Sequence, residues 1–208
     1  MYALLLKDLY CLKSYGKSVA IMLVMFGVIS LNMENPAAYI GGFFSLWFVM
    51  MGIATFNYDD VAKWDHYARS LPLQRKEIVK SKYMLMVLCC SFGVIIAAVL
   101  GFIIMLFKPD PFLLGEQALY SVEFLSLSLL FAGLLLPLIF KFGAEKARLL
   151  IVGIVLLPFA ILMLVSKLGF MPEKSTVLFM LGGLPIVAIL LFILSYFISV
   201  SIYGNKDI

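Results

Sequence analysis

Five stretches of this 208-residue chain contain no Asp, Glu, Lys or Arg: residues 18–33, 35–58, 83–107, 149–166 and 175–205. A sixth, 117–140, is interrupted only by Glu123. An α-helix rises about 1.5 Å per residue, so roughly 20 apolar residues cross the hydrocarbon of a bilayer. Runs of this length, in a chain that is 64% hydrophobic, cannot all be hidden in a soluble core. The pattern predicts an all-α membrane protein with six transmembrane helices, built as a single transmembrane domain over residues 1–208. The first run is short at 16 residues, and Lys17 beside it can snorkel to extend it. The last, at 31 residues, predicts tilt or a protruding end.

Six spans place both termini on one side, and positive charge chooses which. With the termini cytoplasmic, the inner segments hold Lys7, Lys13, Lys17, Lys63, Arg69, Arg75, Lys76, Lys80, Lys82, Lys141, Lys146, Arg148 and Lys206. The outer loops hold only Lys108, Lys167 and Lys174, and this asymmetry sets the orientation. No cleavable signal peptide is expected. Lys7, Asp8 and Lys13 break the first apolar stretch, and no small-residue cleavage site follows it. Residues 1–16 instead predict an amphipathic interfacial helix. Tyr2, Leu5, Leu6, Leu9 and Leu12 follow one face, with Lys7, Asp8 and Ser14 on the other. Such a helix serves either as a passive anchor or as a brace for a cytoplasmic subunit.

Residues 56–83 (FNYDDVAKWDHYARSLPLQRKEIVKSKY) form a charged island between two uncharged runs, with six of the chain's sixteen Lys and Arg. Residues 57–69 read as a short helix. Asn57 or Asp59 can cap it, and Asp59–Lys63 and Asp65–Arg69 are i,i+4 pairs with the acid on the favourable side. Val61, Trp64, Ala68 and Leu71 share one face before Pro72 stops the helix, and a second helical start follows at residues 74–77. That face suits a groove on a soluble domain, with Trp64 as anchor. A plain solvated loop accounts for the charge but not for the helical order.

The pattern F-x-Y-D-D-x-x-K-W-D-x-Y-A-x-S-L-P-L-x-R-K-E-I-V-x-x-K-Y, from Phe56 to Tyr83, resembles the signature of small six-span bacterial ATP-binding-cassette (ABC) exporter permeases of the type-2 kind. The resemblance extends to the membrane subunits of exporters for amphipathic peptides, including cytolytic peptide toxins. It implies a multi-pass protein of the bacterial plasma membrane. Residues 57–77 would form the coupling segment against a cytoplasmic ABC ATPase, carried by Tyr58, Asp59, Asp60, Lys63, Trp64, Asp65, Arg69, Leu71, Pro72 and Arg75. Two permease copies and two ATPases are implied. No G-x-x-x-x-G-K-[ST] phosphate loop occurs here, so no cofactor is expected in this chain, and ATP and Mg belong to the partner.

Other features are sparser. Glu123, with Gln117, Ser121 and Ser128 nearby on the helix, is a candidate polar wall of a translocation path, because an intramembrane acid avoids lipid. Gly93, Ala97 and Gly101 are spaced for close helix packing, within the chain or as a dimer seam. Pro137, Pro158 and Pro185 predict kinks. His66 stands alone, and Cys11, Cys89 and Cys90 form no framework, so neither a metal site nor disulfides are expected. No nucleophile and base set suggests an enzyme, and nothing suggests nucleic acid. The reading is a permease moving a hydrophobic or amphipathic substrate outward, peptides being the best guess. The alternatives are an ion-coupled secondary transporter and a non-transporting immunity or scaffold protein.

Overall fold

The computed structural model describes residues 2–30, 33, 36–64, 67, 68, 74–107, 113–144, 146, 153 and 174–205. These residues form six helices: α1 (Tyr2–Lys13), α2 (Gly16–Ser30), α3 (Pro36–Val61), α4 (Arg75–Phe107), α5 (Leu113–Phe142) and α6 (Lys174–Gly204). Their ends follow local chemistry. Pro36 opens α3, where its missing N–H costs nothing. The Gln74 carbonyl accepts the Glu77 N–H at 2.9 Å, and Glu77 sets negative charge in the first turn of α4. At the end of α5, Gly143 takes φ +82°, and its N–H bonds the Ile139 carbonyl at 2.8 Å, a left-handed glycine cap.

The all-helical fold agrees with the sequence. Helices α3, α4, α5 and α6 are each long and apolar enough to cross a membrane, and they contain the uncharged runs 83–107 and 117–140 and nearly all of 35–58 and 175–205. The pair α1 and α2, bent by 56°, supplies a fifth crossing if taken as one broken span. Alone, the 15 residues of α2 rise only about 22 Å, short of the roughly 30 Å hydrocarbon core. The expected span over 149–166, with its Pro158, lies outside the described residues apart from Gly153.

Helix α6 packs along α5, and α3 along α4, with α5 also against α3 and α4. One buried cluster gathers where α3 ends, α4 begins and α5 and α6 end: Phe56, Ile78, Tyr83, Leu136, Phe140 and Tyr203 belong to it. A second joins Ile40, Phe44 and Phe48 of α3 to Leu85, Cys89 and Ala97 of α4. The outward faces of α4 and α6 are apolar and exposed, as lipid contact requires (Phe92, Ile95 and Val99; Ile186, Leu190 and Phe197).

Helix α1 lies across α3 and α4. Its facing departs from the simple amphipathic expectation. Tyr2, Leu6 and Leu9 point outward, while Asp8, on the polar side, is only 1% exposed. Against a membrane, apolar side chains need no protein cover, whereas a carboxylate needs partners.

Pro137 sits inside α5 and has no N–H to give the Gly133 carbonyl one turn earlier. Ser195 of α6 donates to that carbonyl at 2.5 Å, filling the gap. Ser195 thereby uses its only proton, so the 2.6 Å bond to Tyr83 must run from the tyrosine. Tyr83 in turn accepts from Ser199 at 2.8 Å. This relay joins α4, α5 and α6 through buried polar atoms. Close approach assists elsewhere: a Cβ on Gly93 would meet the Phe44 carbonyl oxygen of α3 at 3.0 Å.

Two outcomes follow for stability, both read by thermal unfolding in detergent. Ser195→Ala strands the Gly133 carbonyl and costs about 1 kcal/mol. The cost shrinks in a Pro137→Ala background, where α5 regains its own bond; equal costs in both backgrounds overturn the assignment. Gly93→Val forces α3 away from α4 and costs about 1–3 kcal/mol.

Candidate functional site

Helix α3 runs through Asn57 and Tyr58, the end of its uncharged run, and on through Asp59 and Asp60 to Val61. Asn57 and Asp59 therefore lie inside the span's last turns rather than at a cap. Ala62 and Lys63 then turn, with Lys63 at φ 48°, and helical structure resumes at Trp64, Tyr67 and Ala68. The expected pairing of Asp59 with Lys63 does not form, because the helix ends between them and Asp59 turns inward instead. Asp65, His66, Arg69, Leu71 and Pro72 lie outside the described residues.

Asp59 is held by two lysines from different helices. Lys82 Nζ of α4 approaches Asp59 Oδ2 at 2.5 Å, and Lys7 Nζ of α1 approaches Asp59 Oδ1 at 2.5 Å. Asp8 completes the group, with Oδ1 at 3.0 Å from Lys82 Nζ and 3.2 Å from Lys7 Nζ. Lys82 is 4% exposed, yet its ammonium has two carboxylates and the Thr55 hydroxyl at 3.2 Å. Two positive and two negative charges cancel, which is what permits burial of the group. Lys7 also lies 4.1 Å from the Trp64 ring centroid, a cation–π contact that fixes the indole.

The same segment touches the other helix ends. Asp60 Oδ2 accepts the Ala144 N–H at 3.1 Å, just beyond α5. Arg75 Nη1 donates to the Gly204 carbonyl at 2.6 Å, setting positive charge at the C-terminus of α6. A cavity of about 40 Å³ lies among Asp59, Asp60, Trp64, Lys82, Phe140 and Tyr203. That volume suits water, not an organic substrate. On the outer side of the turn, Tyr58, Val61 and Tyr67 are exposed.

Sequence reasoning paired neither Asp8, placed on a polar face, nor Lys82, counted among the inner charges and the signature, with any partner. A signal existed. The positions three and four away from Asp8 are Leu5, Cys11, Leu4 and Leu12, and those around Lys82 are Val79, Leu85, Ile78 and Met86. Neither has an opposite charge within reach on its own helix at those positions, so each needs a distant one.

The expected path residues Gln117, Ser121, Glu123 and Ser128 all lie on α5. Ser128 is fully buried, and its hydroxyl donates to the Phe124 carbonyl at 2.8 Å. Ser121 likewise donates to the Gln117 carbonyl at 2.8 Å, and the Gln117 amide packs against Gly101. Such back-bonding satisfies both hydroxyls within α5. Glu123 is half-buried and forms no ion pair with a described residue. Gly93 and Ala97 are buried, Gly93 facing Phe44 and Phe48 of α3, and Gly101, partly buried, faces the Gln117 amide of α5. Among the described residues no group of three or more His, Cys, Asp or Glu is placed to hold a metal ion.

A bundle of long apolar helices, tied together at one charged end, is the frame of a multi-pass membrane transport subunit. No curated protein and no solved structure matches the chain significantly. A family model described as "ABC-2 family transporter protein" matches residues 3–204. Over nearly its whole length, then, this chain belongs to the ABC-2 transporter family, as a non-catalytic membrane permease that works with a partner ATPase.

Proposed function

We propose that the chain is the permease of an ABC exporter that moves amphipathic molecules, best represented by peptides, out across a bacterial plasma membrane. Two copies pair with two cytoplasmic ATPases, and residues 57–77 receive the ATPase. The observation carrying this reading is the turn after α3. It exposes Val61 at 85% beside Tyr58 and Tyr67, while Asp59, Asp60 and Trp64 behind it are tied to the bundle. An exposed apolar face on a tethered base suits docking of a partner that pushes.

Charge supports the orientation. Lys7, Lys63, Arg75, Lys76, Lys80 and Lys141 gather where α3 ends, α4 begins and α5 ends, which the positive-inside tendency assigns to the cytoplasm. The apolar lining of the spans favours a hydrophobic or amphipathic cargo over a small polar one. Glu123 is the acid best placed within a span to meet a cationic side chain of such a peptide.

Val61→Asp leaves the buried core untouched and is expected to reduce co-purification of the ATPase at least tenfold. Wild-type yield with unchanged ATP turnover sinks the docking assignment. Glu123→Gln is expected to raise the concentration of a cationic amphipathic peptide needed for half-maximal ATPase stimulation about tenfold, equivalent to about 1.4 kcal/mol. An unchanged value removes Glu123 from the path.

A further inference from the structure

The exposed face after α3 is not positioned by its own segment. Its charged base, Asp59, is bonded through both oxygens to lysines of α1 and α4. Its aromatic anchor, Trp64, lies under Lys7 of α1. Asp8, one residue further along α1, grips the same Lys82 that grips Asp59. The order of contact is therefore Trp64, Lys7, Asp59, Lys82 and Asp8, running from the turn into α1 and α4. Among the described residues α1 packs chiefly on α3 and α4, so the charged contacts lie on the route from this turn to α1.

We propose that Lys7, Asp8 and Lys82 are positioning residues forming a charge latch, through which displacement of the Trp64 turn moves α1 and the start of α4 together. The proposal rests on the docking reading above and adds the route by which motion leaves the docking site. Because the four charges sum to zero, the latch moves as a neutral body at the membrane edge with no change in its own solvation. A solvated loop pair of the Asp59 and Lys63 type would stretch under load and bleed the motion into water. A hydrophobic contact of similar size would hold the helices together but would let them slide.

A native reporter sits on α1. Cys11, three residues from Asp8, is partly exposed, whereas Cys89 and Cys90 are buried. The test uses the full permease bound to its ATPase in nanodiscs and measures the rate at which N-ethylmaleimide alkylates Cys11, with and without ATP and vanadate. In the wild type the rate is expected to change at least threefold on nucleotide trapping. Single changes such as Lys82→Met leave a carboxylate unpaired and threaten folding. The informative variant is Asp8→Asn with Lys82→Met, which removes one charge of each sign and leaves Lys7 paired with Asp59.

The double variant is expected to retain its ATPase and to lose the nucleotide effect on Cys11. Restoring Lys82 with Asp8→Glu, which keeps both charges, is expected to restore the effect. A wild-type rate insensitive to nucleotide, or a double variant as responsive as wild type, overturns the latch. Failure of the docking reading is seen separately, as full ATPase binding by Val61→Asp. A latch failure is seen only in complexes where the ATPase is bound.

Discussion

A charge brought to the edge of a greasy bundle must carry its partner with it. Water is scarce there, and an unpaired ammonium or carboxylate costs several kcal/mol even after relaxation. This constraint orders one end of the protein. Asp8, Asp59, Lys7 and Lys82 come from three helices far apart in sequence, and they can be buried only together. Once they are, α1 can no longer float in the headgroup layer as an independent anchor. It becomes part of the bundle: Asp8 is turned in along with Leu4, while Tyr2, Leu6 and Leu9 face outward. Exposed leucines beside a buried acid reverse what a soluble protein's surface helix shows, and the solvent on the other side explains it.

The same accounting applies to the backbone. Pro137 removes one hydrogen bond from α5, and in lipid the freed Gly133 carbonyl has nowhere to turn except another helix. Ser195 answers it, and Tyr83 and Ser199 complete the relay. A proline that reads as a kink therefore also dictates which face of α6 meets α5. Membrane helices gain little from burying apolar area against one another, since lipid is as apolar as leucine. Small residues and satisfied polar atoms decide the packing instead. Gly93 and the serines of α6 are the visible instances.

Much of this was legible in the sequence, and the part that was not has a common cause. Uncharged runs located α3, α4, α5 and α6 because hydropathy over about 20 residues is a local property. The start of α4 at Arg75 agrees with the helical start expected at residues 74–77. The end of α3 differs: spacing predicts a separate short helix over residues 57–69, whereas α3 runs unbroken through Asn57 to Val61. The Asp59 and Lys63 pair was inferred from spacing, which presumes a helix running through both. A left-handed residue at Lys63 ended that helix, and no pattern in the sequence marks a lysine for such a φ. Spacing is silent in a related way about the candidate polar wall of α5. Ser121 and Ser128 bond their own helix, so spacing on a face did not tell whether their hydroxyls were available.

The division of the molecule bears on how a transporter of this size can work. On the docking reading proposed above, a partner ATPase grips the segment that follows α3. A grip transmits force only if the gripped residues are stiffer than the surroundings. Tyr58 and Val61 sit on a helix end anchored on three sides, by Asp59 to α1 and α4, by Asp60 to residue 144 beyond α5, and by the Lys7 contact with Trp64. Arg75 adds a fourth tie, from the start of α4 to the end of α6. A displacement of the turn would therefore reach α1, α4, α5 and α6 within one or two of these contacts. Among the described residues, every salt bridge lies at this one end, so the charges that must be paired also fix the helices where that pairing is needed.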